Sequence, residues 1–255
     1  MWRVICLPSR SARPELLAFL YGASELETKV EGTTVCIVQK TDYPFSDRIV
    51  FQIEPAQPVD FDLVLRIPPN SGTVQITAEG AKIEMDEKTI RISKRWSKGD
   101  TISVNFDFQT RRALQHDQKQ AFYEWGPLVF ALPIDPVVTP WQEIKKNGTP
   151  TGYFDFLLKP SDVAPWRTLD RPDASFRKVD LPGGDLLTPW TKPPVGLEGT
   201  LADFEGKPLA VSLVPMGGTT LRRTTFPLTR EDAMKANEKQ KGKSFKDEDD
   251  PMRNF

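Results

Sequence analysis

The 255-residue sequence is short of the side chains that metal and nucleophile chemistry needs. It has two cysteines, Cys6 and Cys36, and one histidine, His116. A structural zinc site takes four Cys or His ligands and a catalytic one usually three. A protein-held zinc would need all three of these residues or help from carboxylates, so no metal site is expected. Any Ser-His-Asp or Cys-His mechanism would run through His116. Its setting, Leu114-Gln115-His116-Asp117-Gln118, is polar and turn-like, which predicts a solvated loop histidine. The two cysteines suffice for one disulfide, but their number does not define a redox compartment. Long apolar runs are missing too: none approaches the ~18 residues of a membrane span. The apolar stretch from Val4 to Pro8 is too short for a signal-peptide core, so neither a signal peptide nor a transmembrane segment is read here and the localisation stays unassigned. An excess of one charge is also absent. Lys and Arg number 34 against 35 Asp and Glu, for a net charge of -1, whereas a nucleic-acid binder presents a basic face. No nucleic-acid and no membrane partner is expected.

What the sequence has in quantity is proline, 23 in 255 residues, or about 9% against a usual ~5%. Such a chain makes a poor helical bundle. From position 34 onward a period of two takes over. Ile49, Phe51 and Ile53 alternate with polar neighbours, as do Phe61, Leu63, Leu65 and Ile67, and Ile102, Val104, Phe106 and Phe108. Shorter repeats occur at Val74/Ile76, Ile83/Met85 and Ile90/Ile92. Alternation of this kind predicts strands with one face buried and one wet, the mark of antiparallel sheet. The breaks at Pro68-Pro69-Asn70-Ser71-Gly72, Glu79-Gly80 and Lys98-Gly99-Asp100 carry turn chemistry. Strands at this spacing point to a sandwich or barrel. Leu16 to Tyr21 reads equally as a helix turn or a strand. Phe122 to Leu132 reads as an apolar strand broken at Gly126-Pro127.

From about Pro133 to Gly206 the chain is rich in Pro, Trp and Gly, with strand-like pieces at Tyr153–Leu158 and, just beyond, Pro208–Val214; Leu221–Phe226 is a further strand candidate. Residues 228–255 hold seven Lys/Arg and seven Asp/Glu and little apolar content, which predicts a flexible charged tail with a transient helix over Ala233–Lys241.

Few residues stand out as chemical candidates. Glycoside hydrolysis needs two carboxylates, but Asp42, Asp47, Asp62, Glu124, Asp155 and Asp170 sit at alternating strand positions or in turns, where solvation accounts for them. Trp96, Trp125, Trp141, Trp166 and Trp190 offer ring faces for sugars, though core-edge packing is the expected role. Gly183-Gly184 and Gly217-Gly218 lack the Lys-Ser/Thr pair of a phosphate loop and read as turns. Asn147-Gly148-Thr149 fits a glycosylation sequon and reads by default as a turn.

Five segments then carry a resemblance. Gln39-Lys40-Thr41-Asp42-Tyr43-Pro44-Phe45 resembles a "Q-x-T-D-Y-P-W/F" segment. Asp62-Leu63-Val64-Leu65-Arg66-Ile67-Pro68 resembles an "L-x-L-R-I-P" strand. Ile90 to Asp100, with Arg95-Trp96 and Gly99-Asp100, is similar to a "Y-x-x-I-x-R-x-W-x-x-G-D" hairpin. Glu124 to Leu132 is similar to "x-x-G-P-L-V-Y-A-L". Leu213 to Arg222 followed by Phe226-Pro227 resembles "L-V-P-Y-G-x-T-x-L-R-x-T-x-F-P", with Met216 in place of the tyrosine. Together, over about residues 19–227, they resemble glycoside hydrolase family 127, the β-L-arabinofuranosidase-like group.

The resemblance implies the following. Family members join an (α/α)6 barrel to C-terminal β-sandwich domains, and only the sandwich part is matched. The family's cysteine nucleophile, and the zinc held by cysteines and a glutamate, belong to the barrel. This chain is therefore expected to have no catalytic residues, no metal ligands and no cofactor of its own, with substrate-binding residues unknown. The expected fold class is all-β: two antiparallel β-sandwich (jelly-roll-like) units with a flexible charged C-terminal tail. Residues 1–14 are unassigned and 15–134 form the first sandwich, to which a final strand near 210–227 returns. Residues 135–209 form a second, smaller sandwich, and 228–255 the tail. The expected role is that of an accessory, stabilising module for a barrel absent from the chain, as a truncated gene product, a split subunit or a fragment of a misread gene. The expected partners are a catalytic barrel subunit or a second copy, with a plant-type carbohydrate as a further ligand. The alternatives are a stand-alone carbohydrate-binding β-sandwich and a hydrolase using carboxylates of its own.

Overall fold

The structure is a computed structural model that describes residues 13–162 and 164–241. Cys6, the N-terminal arginines Arg3 and Arg10, and the end of the expected tail from 242 lie outside the described residues. The chain divides into two compact units, residues 13–111 with 125–128, and residues 112–124 with 129–241.

The first unit holds nine strands: β1 (Glu15–Ala18), β2 (Ser24–Val30), β3 (Thr33–Thr41), β4 (Arg48–Pro55), β5 (Val59–Arg66), β6 (Gln75–Thr77), β7 (Lys82–Met85), β8 (Thr89–Trp96) and β9 (Asp100–Asn105). They form a four-stranded sheet, β1-β5-β8-β7, and a five-stranded sheet, β2-β3-β4-β9-β6. Each sheet buries one face. Leu16, Phe61, Leu63, Leu65, Ile90, Ile92 and Trp96 come from the first sheet, and Val35, Ile37, Ile49, Phe51, Ile53, Ile102 and Val104 from the second. Two one-sided sheets in one compact unit make a sandwich. The alternation read over 49–53, 61–65 and 102–104 is the inward face of β4, β5 and β9. Phe106 and Phe108 are buried as predicted, although the strand ends at Asn105.

Some details depart from the alternation. The stretch from Leu16 resolves as a strand, and β1 pairs in parallel with β5, Leu16 opposite Leu63, so one pair breaks the antiparallel pattern. Ile83 and Met85 are 39% and 58% exposed, because β7 is an edge strand joined only to β8. The two-residue turn joining β2 to β3 uses Glu31 and Gly32, both with positive φ (48° and 82°), as a tight hairpin requires.

The second unit continues with β10 (Thr110–Leu114), β11 (Gln120–Trp125), β12 (Leu128–Pro133), β13 (Pro136–Lys146), β14 (Thr149–Pro160), β15 (Thr168–Leu169), β16 (Phe176–Asp180), β17 (Val195–Asp203), β18 (Pro208–Pro215), β19 (Arg222–Arg223) and β20 (Phe226–Pro227). Nine of these strands form one sheet, β10-β11-β12-β18-β17-β15, with β16 on β17, β19 on β12 and β20 on β11. Its buried side chains include Ala121, Tyr123, Phe130, Leu197, Leu201, Leu213 and Phe226. The apolar run from 122 to 132 is two strands meeting at Gly126-Pro127. Strands β13 and β14 stand apart as a two-stranded ribbon.

The polar segment after Pro227 opens with a helix, α1 (Arg230–Lys241), which covers the stretch from Ala233 expected to be transiently helical and starts three residues earlier. Local chemistry explains it. The Thr229 hydroxyl accepts from the Asp232 amide at 3.1 Å and donates to the Asp232 carboxylate at 2.7 Å, so Thr229 caps the helix N-terminus through the third helical residue. Glu231 and Asp232 complement the helix dipole. Ala233, 1% exposed, anchors the first turn against Leu169, Ala202 and Phe204. The all-β class stands, with this one α-helix among the described residues.

Candidate functional site

Three of the five motifs converge on one end of the first unit. Tyr43 comes from the turn after β3, Arg66 from the end of β5, and Trp125-Gly126 from the end of β11. Tyr21 and Tyr43 meet edge to face at 5.6 Å, Tyr21 and Phe106 lie 5.4 Å apart, and Phe106 stacks on Phe108 at 5.9 Å. Phe108 meets Trp125 edge-on at 5.4 Å. The Tyr21 hydroxyl donates to the Arg66 carbonyl. Arg66 in turn donates from Nε to the Phe19 carbonyl at 2.9 Å and lies over the Phe19 ring at 5.4 Å. Burial holds the Tyr21 phenol well above its ordinary value, and burial likewise raises that of Tyr43. Both phenols therefore stay neutral, Tyr21 as a donor to the Arg66 carbonyl and Tyr43 as a packing group. Gly126 is required here: its φ is +51°, and an added Cβ would fall 2.4 Å from Phe108 Cδ2. The motif turn before β4 is tied by Tyr43 N–H to Thr41 Oγ1 at 3.0 Å and Phe45 N–H to the Asp42 carbonyl at 2.8 Å. The third motif supplies Trp96, whose indole N–H donates to the Phe61 carbonyl at 2.9 Å. These motif residues hold a scaffold together, and Phe19 and Leu20 at its margin are exposed.

The carboxylates expected to be solvated divide into two groups. Asp62 and Asp170 are buried, contrary to expectation. Asp62 lies on the outer side of β5 but is covered by Arg91, whose Nη1 donates to Glu15 at 2.6 Å and to Asp62 at 2.9 Å. Asp170 follows β15. Its Oδ1 accepts from the Tyr123 hydroxyl at 2.6 Å, and its Oδ2 from Arg112 Nε at 3.0 Å and Nη2 at 2.6 Å. Tyr123 itself packs on Phe176 and Phe226 at 4.1 and 5.9 Å. Burial first, and the Asp170 hydrogen bond second, push the Tyr123 phenol far up. A carboxylate this enclosed and this well paired is an internal clamp. Its neighbours Thr168 and Leu169 are buried with it, and no local sequence pattern announces its distant partners. Asp155, by contrast, is exposed on β14.

The other candidates stay apart. His116 occupies the exposed turn between β10 and β11. Cys36 carries a free thiol on β3, donating to Glu25 Oε1 at 3.2 Å. Burial, followed by Glu25, Glu27 and Glu54, pushes this thiol up to about 11. The zinc that the resemblance attaches to the family's barrel does not fit here: among the described residues no three His, Cys, Asp or Glu side chains gather as ligands.

Trp96 and Trp125 are buried, as the packing role predicts, whereas Trp141 and Trp190 are 64% and 50% exposed. The side chain of Trp166 lies outside the described residues. Trp190 sits in a tightly built segment, 181–194, where Asp185 accepts from the Leu187 amide and the Thr188 hydroxyl. A Cβ on Gly217 would come 2.7 Å from the Trp190 ring. Gly183, with φ +74°, and the 3-10 turn at Met216–Gly218 place both glycine pairs in turns. Asn147 and Gly148, φ 52° and 80°, form the tip of the β13–β14 ribbon.

Comparison with known proteins identifies what this scaffold is similar to. The family model for the β-L-arabinofuranosidase GH127 middle domain matches residues 15–108, which is the described sandwich of the first unit. No curated protein matches the chain. A GH127 β-L-arabinofuranosidase from Geobacillus stearothermophilus T6 superposes with a TM-score of 0.59 at 19% identity, covering 84% of this chain and 33% of its own. A protein described as a glycoside hydrolase gives 0.57 at 22% identity, with 83% and 36% covered. A GH127 β-arabinofuranosidase gives 0.57 at 18% identity, with 86% and 35% covered. The chain thus spans about a third of the length of these solved relatives. In sequence over its first sandwich, and in fold over most of its length, the chain resembles the β-rich portion of glycoside hydrolase family 127, the β-L-arabinofuranosidase-like group.

Proposed function

We propose that this chain is the non-catalytic C-terminal β-sandwich portion of a glycoside hydrolase of the β-L-arabinofuranosidase type. It packs on, and stabilises, an (α/α)6 catalytic barrel that is not among its described residues. The observation that carries this reading is how the motif residues are used. Tyr43, Arg66, Trp96, Trp125 and Gly126 pack and hydrogen-bond within the sandwich unit. A module kept for its shape, with its chemistry elsewhere, uses its characteristic residues in this way. The coverage of about a third of each relative supports the same reading. The buried carboxylates argue against an independent hydrolase, since Arg91 and Arg112 already engage Asp62 and Asp170. A stand-alone sugar-binding module needs a shared platform of rings. Trp141 and Trp190 stand on separate elements, and Trp190 is packed against Gly217.

The test is activity of the purified chain on an aryl β-L-arabinofuranoside, alone and after mixing with a separately produced family barrel. The chain alone releases no arabinose, and the barrel gains thermal stability on mixing. Turnover by the chain alone that survives a chelator overturns the proposal.

A further inference from the structure

The tip of the β13–β14 ribbon is the one place where the sequence sets an asparagine before a glycine, Asn147-Gly148. It is a two-residue turn. Lys146 pairs with Thr149 across it, and both turn residues have positive φ, 52° and 80°. Little holds this tip closed. Beyond the irregularity between Glu143 and Lys145, only two register pairs remain, Lys145 with Pro150 and Lys146 with Thr149. Pro150 has no amide hydrogen to give to the ladder. Residues 144–150 are all exposed, so opening the tip gives up no buried side chain. The ribbon is anchored just inside it. There the Thr151 hydroxyl donates to the Ile144 carbonyl at 2.5 Å and the Gly152 amide to Glu143 Oε1 at 3.0 Å. A tip with so few bonds lies at the low end of local opening free energies, close to zero.

Chemistry then selects the residue. The backbone nitrogen that follows an asparagine can attack the asparagine side-chain carbonyl and close a five-membered ring. Glycine admits this ring most readily, because no Cβ crowds the attacking nitrogen. The Gly148 amide has no acceptor among the described residues. Ring closure also requires Asn147 to leave the left-handed backbone of the closed turn, so the reaction passes through the open tip.

We propose that Asn147 is a site of spontaneous modification, converted through a succinimide to isoaspartate and aspartate. The Gly148 nitrogen bonds to Asn147 Cγ, the Cγ–Nδ2 bond breaks, and Nδ2 leaves as ammonia with the proton lost by the Gly148 amide. Water then opens the ring, so the sum is asparagine plus water giving a carboxylic acid and ammonia. Opening at the Asn147 backbone carbonyl routes the main chain through Cβ, as isoaspartate. That lengthens a two-residue turn by one carbon and parts the two register pairs of the tip. Either product places a negative charge next in sequence to Lys145 and Lys146. The change stops at the anchors on Glu143 and Ile144.

Two other asparagines are held where Asn147 is not. Asn70 also has a positive φ, 64°. It is followed by Ser71, whose hydroxyl donates to the Pro68 carbonyl at 2.7 Å, and by Gly72, whose amide donates to the Phe106 carbonyl at 3.0 Å. Asn105 is paired with both Arg48 and Gln75 and precedes buried Phe106.

Ageing the full chain at pH 8.0 and 37 °C tests this, with an unstructured peptide of residues 145–150 as the reference. Peptide mapping by mass spectrometry reads the gain of about 1 Da, and an isoaspartate methyltransferase labels the isoaspartate. Asn147 converts within about tenfold of the peptide rate, as a tip that opens at almost no cost requires. Asn70 and Asn105 stay intact over the same period. Gly148→Ala slows conversion at least tenfold, although a side chain at positive φ loosens the turn. Asn147→Gln abolishes the labelling. In the aged chain hydrogen exchange rises over 145–150 and is unchanged over 154–158. Conversion at less than a tenth of the peptide rate overturns the proposal. So does conversion that is indifferent to Gly148→Ala, that runs equally at Asn70 and Asn105, or that leaves exchange at 145–150 as it was.

Discussion

The Tyr123 hydroxyl donates to Asp170 Oδ1 at 2.6 Å while Arg112 takes the other carboxylate oxygen. This joins β10, β11 and the residue after β15, and the Asp170 amide adds a bond to the Pro227 carbonyl at 2.9 Å. The Asp170 side chain is fully enclosed, so each partner lost leaves a buried group without its complement.

Tyr123→Phe removes one donor and is expected to cost about 1–3 kcal/mol. Asp170→Ala strands the guanidinium and the phenol and is expected to cost about 3–5 kcal/mol. Urea denaturation followed by circular dichroism measures both. Additivity of the two losses in the double variant would show that they do not act as one network.

The tyrosines predict behaviour in alkali. The Tyr21 and Tyr123 phenols are both raised in the folded chain, chiefly by burial. A group raised on folding contributes its stability fully below its ordinary value, here about 10, and loses it as pH climbs through the folded value. Ionisation followed at 295 nm is expected to show these two phenols silent until the fold gives way, with stability falling from about pH 10 upward. Reversible titration of all tyrosines near pH 10 in the folded state would contradict this.

Gly126→Ala is expected to destabilise the chain by about 2–4 kcal/mol, because it combines a left-handed backbone with a clash. The added Cβ would meet Phe108 at 2.4 Å. Phe108→Leu in the same chain relieves the clash but not the backbone strain, and recovers only part of the loss. Thermal melting monitored by tryptophan fluorescence reads both.

Cys36 is expected to be a sluggish nucleophile. A thiol pushed up to about 11 holds roughly a hundredfold less thiolate at neutral pH than an ordinary one. Iodoacetamide labelling in a Cys6→Ser background is therefore slow at pH 7.5 and rises steeply with pH. Glu25→Gln removes a carboxylate that favours the protonated thiol, so it speeds labelling at pH 8. Rapid labelling of Cys36 at pH 7 would refute the assignment.

The sequence made the sandwich legible where one face is dry and the other wet, as in β4 and β9. It was mute where that rule fails. The ribbon is exposed on both faces, so Val137 and Val138 show no alternation, and only Asn147-Gly148 at its tip and the strand-like piece Tyr153–Leu158 within β14 were legible. α1 read only as a transient helix from Ala233 because it lies in a polar run and one small residue, Ala233, supplies its buried contact. Asp62 and Asp170 read as wet because a carboxylate's partner cannot be inferred from its neighbours in sequence: Arg112 lies 58 residues from Asp170. The motifs located the scaffold of the first unit. That Tyr43, Arg66 and Trp125 converge depends on pairings that only the folded chain displays.

The strand order of the large sheet has a consequence for synthesis. The sandwich strands β1 to β9 have all emerged by Asn105. β12 ends at Pro133, but its partner β18 starts only at Pro208, 75 positions later. At ~5–20 residues per second, the nascent chain leaves one edge of β12 open for roughly 4–15 s, while the ribbon between them closes locally. The first unit therefore has all its residues once position 128 has been added, and the second carries an interval in which a chaperone has work to do.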